Sequence, residues 1–283
     1  MRHIEFFHND HFENNYHRVP PPSALSTLID FFWETRFEHL WKDHPKGFSD
    51  AQFPNLGYTY LINLGTPFTM QIEEQKQRMR TDGFLPRYHA IESFHRPGDH
   101  LFGIKFRISP VIFEKKINFS EYKGYVYPLS YLLDPQILSG IKKTKQFDDR
   151  VNILSKYFIS ILDRFEDSSE PIQIVSSILD RCFQDNEFNP SVEQEAKKFG
   201  LSPRTLQRYF QACTGITAKQ ALQVMRIRKA IVSLIHDPTG FDYEEFGYYD
   251  HSHFYKHLRE FLSNNTFGAK DLHLRILKLI TVL

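Results

Sequence analysis

The sequence of 283 residues has few cysteines and no long apolar run. Its two cysteines, Cys182 and Cys213, form no CxxC pair, so we expect reduced thiols rather than a zinc or redox site. No stretch of about 18 uncharged apolar residues occurs, and residues 1–15 lack the apolar core of a secretory signal. These absences favour a cytoplasmic protein without a membrane span.

Motifs of common enzyme classes are also missing. The sequence contains no nucleophile elbow, phosphate-binding glycine loop, dinucleotide fingerprint or histidine pair of a cupin metal site. His253 and His257 have the i, i+4 spacing of two zinc ligands, but no glutamate stands beside His253 to act as a base. We therefore expect no catalytic residue, no metal and no cofactor.

The composition and the distribution of charge are informative. Hydrophobic residues make up 41% and aromatic residues 15%, which favours well-filled cores in a chain long enough for two domains. The formal net charge is only +1, yet residues 197–229 contain no acidic residue. Their basic residues are Lys197, Lys198, Arg204, Arg208, Lys219, Arg226, Arg228 and Lys229. Such a cluster indicates a surface for phosphate.

The first half has the alternation of β-strands. Apolar residues recur at every second position in 58–64, 68–72 and 102–108, as in a half-buried sheet. The turn residues 65–67 predict a hairpin between the first two strands, and a short helix is expected near Pro110. From residue 148 the apolar spacing becomes helical, and a further helix is expected over 172–183.

The C-terminal part contains an internal repeat. Residues 202–210 are echoed 48 positions later by 250–258, each copy having an N-cap followed by apolar residues at helical spacing. Gly200 and Gly247 precede the two caps and supply turns, which predicts two helix-turn-helix units. A central helix capped by Thr217 should run to about His236. Its length of roughly 28 Å would hold the units about one DNA turn apart.

The first unit offers a polar outer face. With Leu206 and Phe210 directed to the core, the residues left outside are Arg204, Gln207, Arg208 and Gln211. Arginine and glutamine are the side chains that read guanine and adenine from a helix in the major groove. We expect Arg204, Gln207 and Arg208 to read bases there.

The same residues carry a family resemblance. The pattern consists of Ala196, Gly200, Leu201, Ser202, Arg204, Leu206, Arg208, Phe210, Gly215, Arg226, Ala230, Gly247, Tyr248, Asp250, Ser252 and Phe254. It resembles the AraC/XylS-type DNA-binding domain over about residues 191–263. The resemblance implies a bacterial transcription regulator, usually an activator, with double-stranded DNA and RNA polymerase as partners. It places Ser252, Tyr255 and Lys256 of the second unit at DNA-facing positions.

The predicted fold class is α+β, a β-rich domain followed by an all-α domain with two helix-turn-helix units joined by a central helix. The expected division is 1–165 as an effector or dimerisation domain, 166–188 as a linker with a helix, 189–270 as the DNA-binding domain and 271–283 as an apolar tail. The first domain also resembles, less specifically, the β-rich domain of such regulators. A small-molecule effector and a homodimer are therefore both candidates.

The second unit departs from the family pattern. Tyr243 and Ser263 replace small residues, and the approach to the second helix is acidic. We therefore predict that the first unit carries most of the affinity, because acidic groups repel phosphate. The alternative hypothesis is a sensor or protein-interaction module whose second unit has degenerated and no longer binds DNA.

Overall fold

A computed structural model describes residues 16–42, 44–73, 75–113, 126–165 and 169–263. Within them the fold is α+β, as predicted: a sandwich of two antiparallel sheets precedes a set of helices. The predicted C-terminal tail, 271–283, lies outside the described residues, as do 166–168 at the predicted boundary.

The larger sheet has the strand order β1-β2-β9-β4-β7-β10, and the smaller has β3-β8-β5-β6. The strands are β1 (Tyr16–Val19), β2 (Ile29–Arg36), β3 (Phe48–Gln52), β4 (Tyr58–Asn63), β5 (Phe68–Ile72), β6 (Gln75–Met79), β7 (Gly83–Pro86), β8 (Ile91–His95), β9 (His100–Phe106) and β10 (Tyr127–Pro128).

The larger sheet is buried on both faces rather than half-buried. Phe102, Ile104 and Phe106 of β9 are fully buried on the side of the helices, whereas Leu101 lies in the cluster between the two sheets. Lys105 is also buried, and its ammonium group donates to the carbonyl oxygens of Leu56 and Phe106. The alternation predicted the strands but not the second layer that covers them.

The predicted hairpin between β4 and β5 is wrong. β4 pairs with β7 and β9, whereas β5 pairs with β6 and β8 in the other sheet. The turn after β4 lies beside the residues that precede β9. The N–H of Thr66 donates to the carbonyl oxygen of Gly98 there, at 3.0 Å. A side chain at Gly65 would meet that carbonyl oxygen at 2.2 Å, so the chain crosses between the sheets where only glycine fits.

The helices from residue 147 onward follow the predicted spacing, whereas the first helix was not predicted. The helices are α1 (Pro135–Lys143), α2 (Phe147–Arg164), α3 (Glu170–Gln184), α4 (Val192–Lys198), α5 (Pro203–Thr214), α6 (Ala218–His236) and α7 (His251–Ser263). A 3-10 helix at Pro110–Phe113 confirms the short helix expected near Pro110.

One hydrophobic core joins the sandwich to the helices. It runs from Tyr60 and Phe106 of the larger sheet through Phe158 of α2 to Phe210 of α5. Helix α3, in the segment predicted as a linker, packs on α5 and α6. The helices are therefore held against the sheet by a continuous apolar layer.

Candidate nucleic-acid interface

The first helix-turn-helix unit consists of α4, a tight turn and α5. Gly200 has a φ of +67°, a left-handed conformation in which glycine avoids a steric penalty. The hydroxyl of Ser202 accepts a hydrogen bond from the N–H of Thr205 at 3.1 Å and caps α5. Leu206 and Phe210 are buried against the core, as predicted. This arrangement fixes which face of α5 remains in solvent.

That face exposes two of the four side chains predicted to lie on the outside of α5. Arg204 and Arg208 are exposed. Gln207 is half-buried, and its amide oxygen accepts from the N–H of Ala218 at 3.2 Å. Gln211 donates from its amide nitrogen to the carbonyl oxygen of Gly215 at 2.7 Å. The two glutamines thus hold the turn between α5 and α6, while the two arginines are available to DNA.

The C-terminal end of α5 is fixed to the sandwich. The N–H of Ser109 donates to the carbonyl oxygen of Cys213 at 2.7 Å. Gly215 follows with a φ of +78°, and a side chain there would meet the hydroxyl of Tyr58 at 2.0 Å. Burial raises the pKa of the Cys213 thiol well above its usual range. The position of α5 is therefore set in part by the N-terminal domain.

The central helix α6 begins with the predicted cap and directs most of its cations inward. Thr217 and Gln220 form a capping box. Arg226 and Arg228 are buried, and Lys229 donates to the carbonyl oxygen of Phe183. Burial also lowers the pKa of Lys229. The surface for phosphate that we expected over residues 197–229 is therefore smaller along α6, where Lys219 is the one exposed lysine or arginine.

The second unit is abbreviated. One turn of 3-10 helix, Glu244–Phe246, stands where the first unit has α4. Gly247 turns the chain with a φ of +72°. The carboxylate of Asp250 then accepts from the N–H of His253 at 2.7 Å and caps α7. The repeat therefore predicted the turn and the cap, while the replacement of a small residue by Tyr243 accompanies the loss of a full first helix.

Helix α7 presents more polar groups than the resemblance indicated. Ser252 and Lys256 are exposed, whereas Tyr255 is half-buried with its ring 6.1 Å from that of His251. His251, which was not among the predicted DNA-facing residues, is exposed in the first turn of α7 together with His253. The signal was their place directly after the Asp250 cap, where the side chains of a recognition helix face the groove.

Arg226 connects the central helix to the second unit. Its guanidinium lies 4.2 Å from the centre of the Tyr248 ring and donates to the carbonyl oxygen of Gly247 at 3.3 Å. The hydroxyl of Tyr248 is 2.8 Å from Nδ1 of His257. Burial, together with the charge of Arg226, lowers the pKa of His257 to about 4. A neutral imidazole can accept a hydrogen bond from the tyrosine hydroxyl, so the lowered pKa of His257 agrees with this contact.

The two units differ in charge. Exposed basic residues of the first unit are Lys197, Lys198, Arg204 and Arg208, although Lys198 also pairs with Glu195. The approach to α7 is acidic, with exposed carboxylates at Asp237, Asp242, Glu244, Glu245 and Asp250. Attraction to phosphate is therefore concentrated on α4 and α5.

A family model described as a helix-turn-helix domain matches residues 196–265. The segment is a helix-turn-helix domain of the AraC type. It contains both units and the central helix, and this part of the chain is therefore a DNA-binding domain. The AraC-type domain includes every DNA-facing residue predicted from the sequence. A comparison with curated proteins found no match.

Among solved structures, the chain is similar to ToxT from Vibrio cholerae. One ToxT structure is 8% identical and has a TM-score of 0.44, with 92% of this chain and 98% of that chain covered. Another, from Vibrio cholerae O395, is 10% identical with a TM-score of 0.43, covering 95% and 98%. A third, of ToxT bound to an unsaturated fatty acid, is 10% identical with a TM-score of 0.41, covering 88% and 92%.

A cavity of about 300 Å³ lies between the sandwich and the AraC-type domain. Its apolar walls include Phe106 of β9, Leu179 of α3 and Met225 of α6. Its charged lining residues are Asp30, Lys105, Arg107, Asp180, Arg228 and Lys229. Arg107 pairs with Asp180, so the remaining charges leave an excess of cations.

Within the described ranges, no group of three or more histidine, cysteine, aspartate or glutamate residues could hold a metal ion. No helix in the same part of the chain is long and apolar enough to cross a membrane.

Proposed function

We propose that the chain is a sequence-specific, non-enzymatic regulator that reads DNA mainly through Arg204 and Arg208 of α5. The observation that carries the proposal is the exposure of these two cations on a capped helix whose other face is buried. Phosphates would be held by Lys197 and Lys219, which flank α5 in sequence and are also exposed. Helix α7 would contact the next groove through His251, Ser252, His253 and Lys256.

The proposed setting is the bacterial cytoplasm, where the chain would act as an activator that contacts RNA polymerase. Pairing of two chains through the N-terminal domain belongs to the same proposal. Sedimentation of the chain with and without operator DNA would measure that pairing.

The test uses fluorescence anisotropy of the full chain with duplexes selected from a random pool, across a salt series. We expect binding that weakens steeply with salt, because phosphate contacts release counterions. Arg204→Ala with Arg208→Ala should weaken binding by on the order of a hundredfold, since each base contact contributes roughly 1–3 kcal/mol. Lys145→Ala, on the α1–α2 connection, is the matched control for loss of a surface cation. No salt-dependent binding by the folded chain would favour the degenerate interaction module.

We further propose that a small molecule in the interdomain cavity controls the regulator. The cavity lining carries more cationic than anionic side chains, and the ammonium group of Lys229 donates to the carbonyl oxygen of Phe183, so an anion would meet a positively charged wall there. The apolar walls suit a ligand with one acidic group and a hydrocarbon body.

Thermal shift with alkyl carboxylates, each paired with the alcohol of equal length, tests this proposal. A ligand that binds only the folded state raises the melting temperature as its concentration rises. We expect stabilisation by a carboxylate and not by its alcohol, and loss of the effect in Lys229→Gln. Equal shifts for both members of each pair would argue against an anion site.

A further inference from the structure

Phe53 belongs to the sandwich in sequence but to the second unit in packing. It directly follows β3, and its side chain is 0% exposed. The buried residues clustered with it all come from the helical part, among them Ile231 of α6 and Phe254 of α7. The Phe53 ring stacks on that of Phe261, with centroids 5.6 Å apart and planes 26° from parallel. The core of the second unit is thus completed by a residue of the other domain.

The loop that carries Phe53 is fixed on both sides. Nη1 of Arg228, a buried residue of α6, donates to the carbonyl oxygen of Pro54 at 3.0 Å. The N–H of Asn55 donates to the carbonyl oxygen of Arg87 in the sandwich at 2.6 Å. A short segment therefore bridges the sandwich and the central helix, with the Phe53 ring inserted between α6 and α7.

In the second unit, α7 has no full first helix to pack against. Its first helix is reduced to the single turn Glu244–Phe246. Phe261 lies near the C-terminal end of α7, while the exposed DNA-facing residues lie near its N-terminal end. A helix of 13 residues spans roughly 20 Å. A change in packing at one end therefore tilts the whole helix and displaces its other end.

We propose that Phe53 is a positioning residue for DNA binding: the N-terminal domain sets the orientation of the second recognition helix through this inserted ring. The inference rests on the proposed function, since it requires α7 to contact DNA. It predicts that changes at Phe53 alter contacts of the second unit and leave those of the first unit in place.

The test is hydroxyl-radical footprinting of full-length variants on a duplex selected by the wild-type chain. Wild type should protect two segments about one helical turn apart. In Phe53→Ala we expect the concentration for half-protection of the α7 segment to rise at least tenfold, with the α5 segment nearly unchanged. Phe53→Leu, which retains an apolar side chain, should recover most of the protection.

Phe68→Ala is the matched control, because Phe68 is an equally buried phenylalanine of the sandwich whose cluster excludes the helices. If Phe53→Ala and Phe68→Ala give the same footprint, whether intact or lost, the inference is overturned. If Phe53→Leu is folded and loses both segments equally, it is also overturned. Absence of any footprint with the wild-type chain would instead count against the proposed function.

Discussion

At the scale of single residues, Arg226 shows why a basic residue in a DNA-binding domain need not touch DNA. Its guanidinium is buried, stacked on Tyr248 and bonded to the turn at Gly247. The planar guanidinium group stabilises the fold by stacking on an aromatic ring and donating a hydrogen bond at the same time. The ammonium group of a lysine does not reproduce this geometry. The residue therefore fixes the second unit to the central helix.

We predict that Arg226→Met lowers the free energy of unfolding by about 1–3 kcal/mol, because it removes the stacking and the charged hydrogen bond. Urea denaturation of the full chain measures this change. The exposed Arg204→Met is the control and should alter stability by less than about 0.5 kcal/mol. Equal effects of the two substitutions would contradict the assigned role.

His257 gives a prediction about pH. Its folded pKa, about 4, lies below the unfolded value near 6.5, so the unfolded chain takes up the proton first as the pH falls. The stabilisation is present above about pH 6.5 and is lost as the pH falls towards 4. Between pH 7 and pH 5 this loss should be about 1–2 kcal/mol and should be smaller in His257→Gln. Denaturation at the two pH values measures it, with the exposed His236→Gln as control.

At the scale of elements, the two left-handed glycines that flank α5 differ in their surroundings. A side chain at Gly200 would meet nothing within 4 Å, whereas one at Gly215 would meet Tyr58. Gly200→Ala should therefore cost only the conformational penalty of roughly 1–2 kcal/mol. Gly215→Ala should cost more, because the end of α5 must also move away from the sandwich. Thermal unfolding of the two variants compares them, and a smaller loss at Gly215 would contradict the described contact.

The charge difference between the units is also a property of elements. We predict that Arg208→Ala weakens DNA binding more than Lys256→Ala, since Lys256 lies on the unit with the acidic approach. Anisotropy titrations at one salt concentration compare them directly. A larger loss with Lys256→Ala would show that the second unit dominates.

At the same scale, local sequence signals predicted what local forces decide. The caps at Ser202 and Thr217 and the turn at Gly200 depend on neighbours within a few residues, and all three occur where predicted. The crossing after β4 and the insertion of Phe53 depend on partners far apart in sequence. No spacing rule contains that information. For the same reason, the sequence did not predict that Arg228 points inward, because its partner is the carbonyl oxygen of Pro54, 174 residues away in sequence.

At the scale of the whole molecule, the sandwich and the helices share their largest hydrophobic core. We therefore predict one cooperative transition in calorimetry of the full chain, with the calorimetric enthalpy equal to the van't Hoff enthalpy. Phe158→Ala, in the middle of this core, should lower the melting temperature without splitting the transition. Two separate transitions in the wild-type chain would contradict a shared core.

Two buried thiols lie in this shared hydrophobic core. Cys182 of α3 and Cys213 of α5 are both 0% exposed, and burial raises the pKa of Cys182 to about 11. Alkylating reagents attack the thiolate, so neither sulfur should react while the helices remain packed. The rate at which these two thiols are alkylated therefore reports how often α3 and α5 separate. Comparing that rate with and without DNA would show whether binding a duplex slows the opening of the regulator's interior.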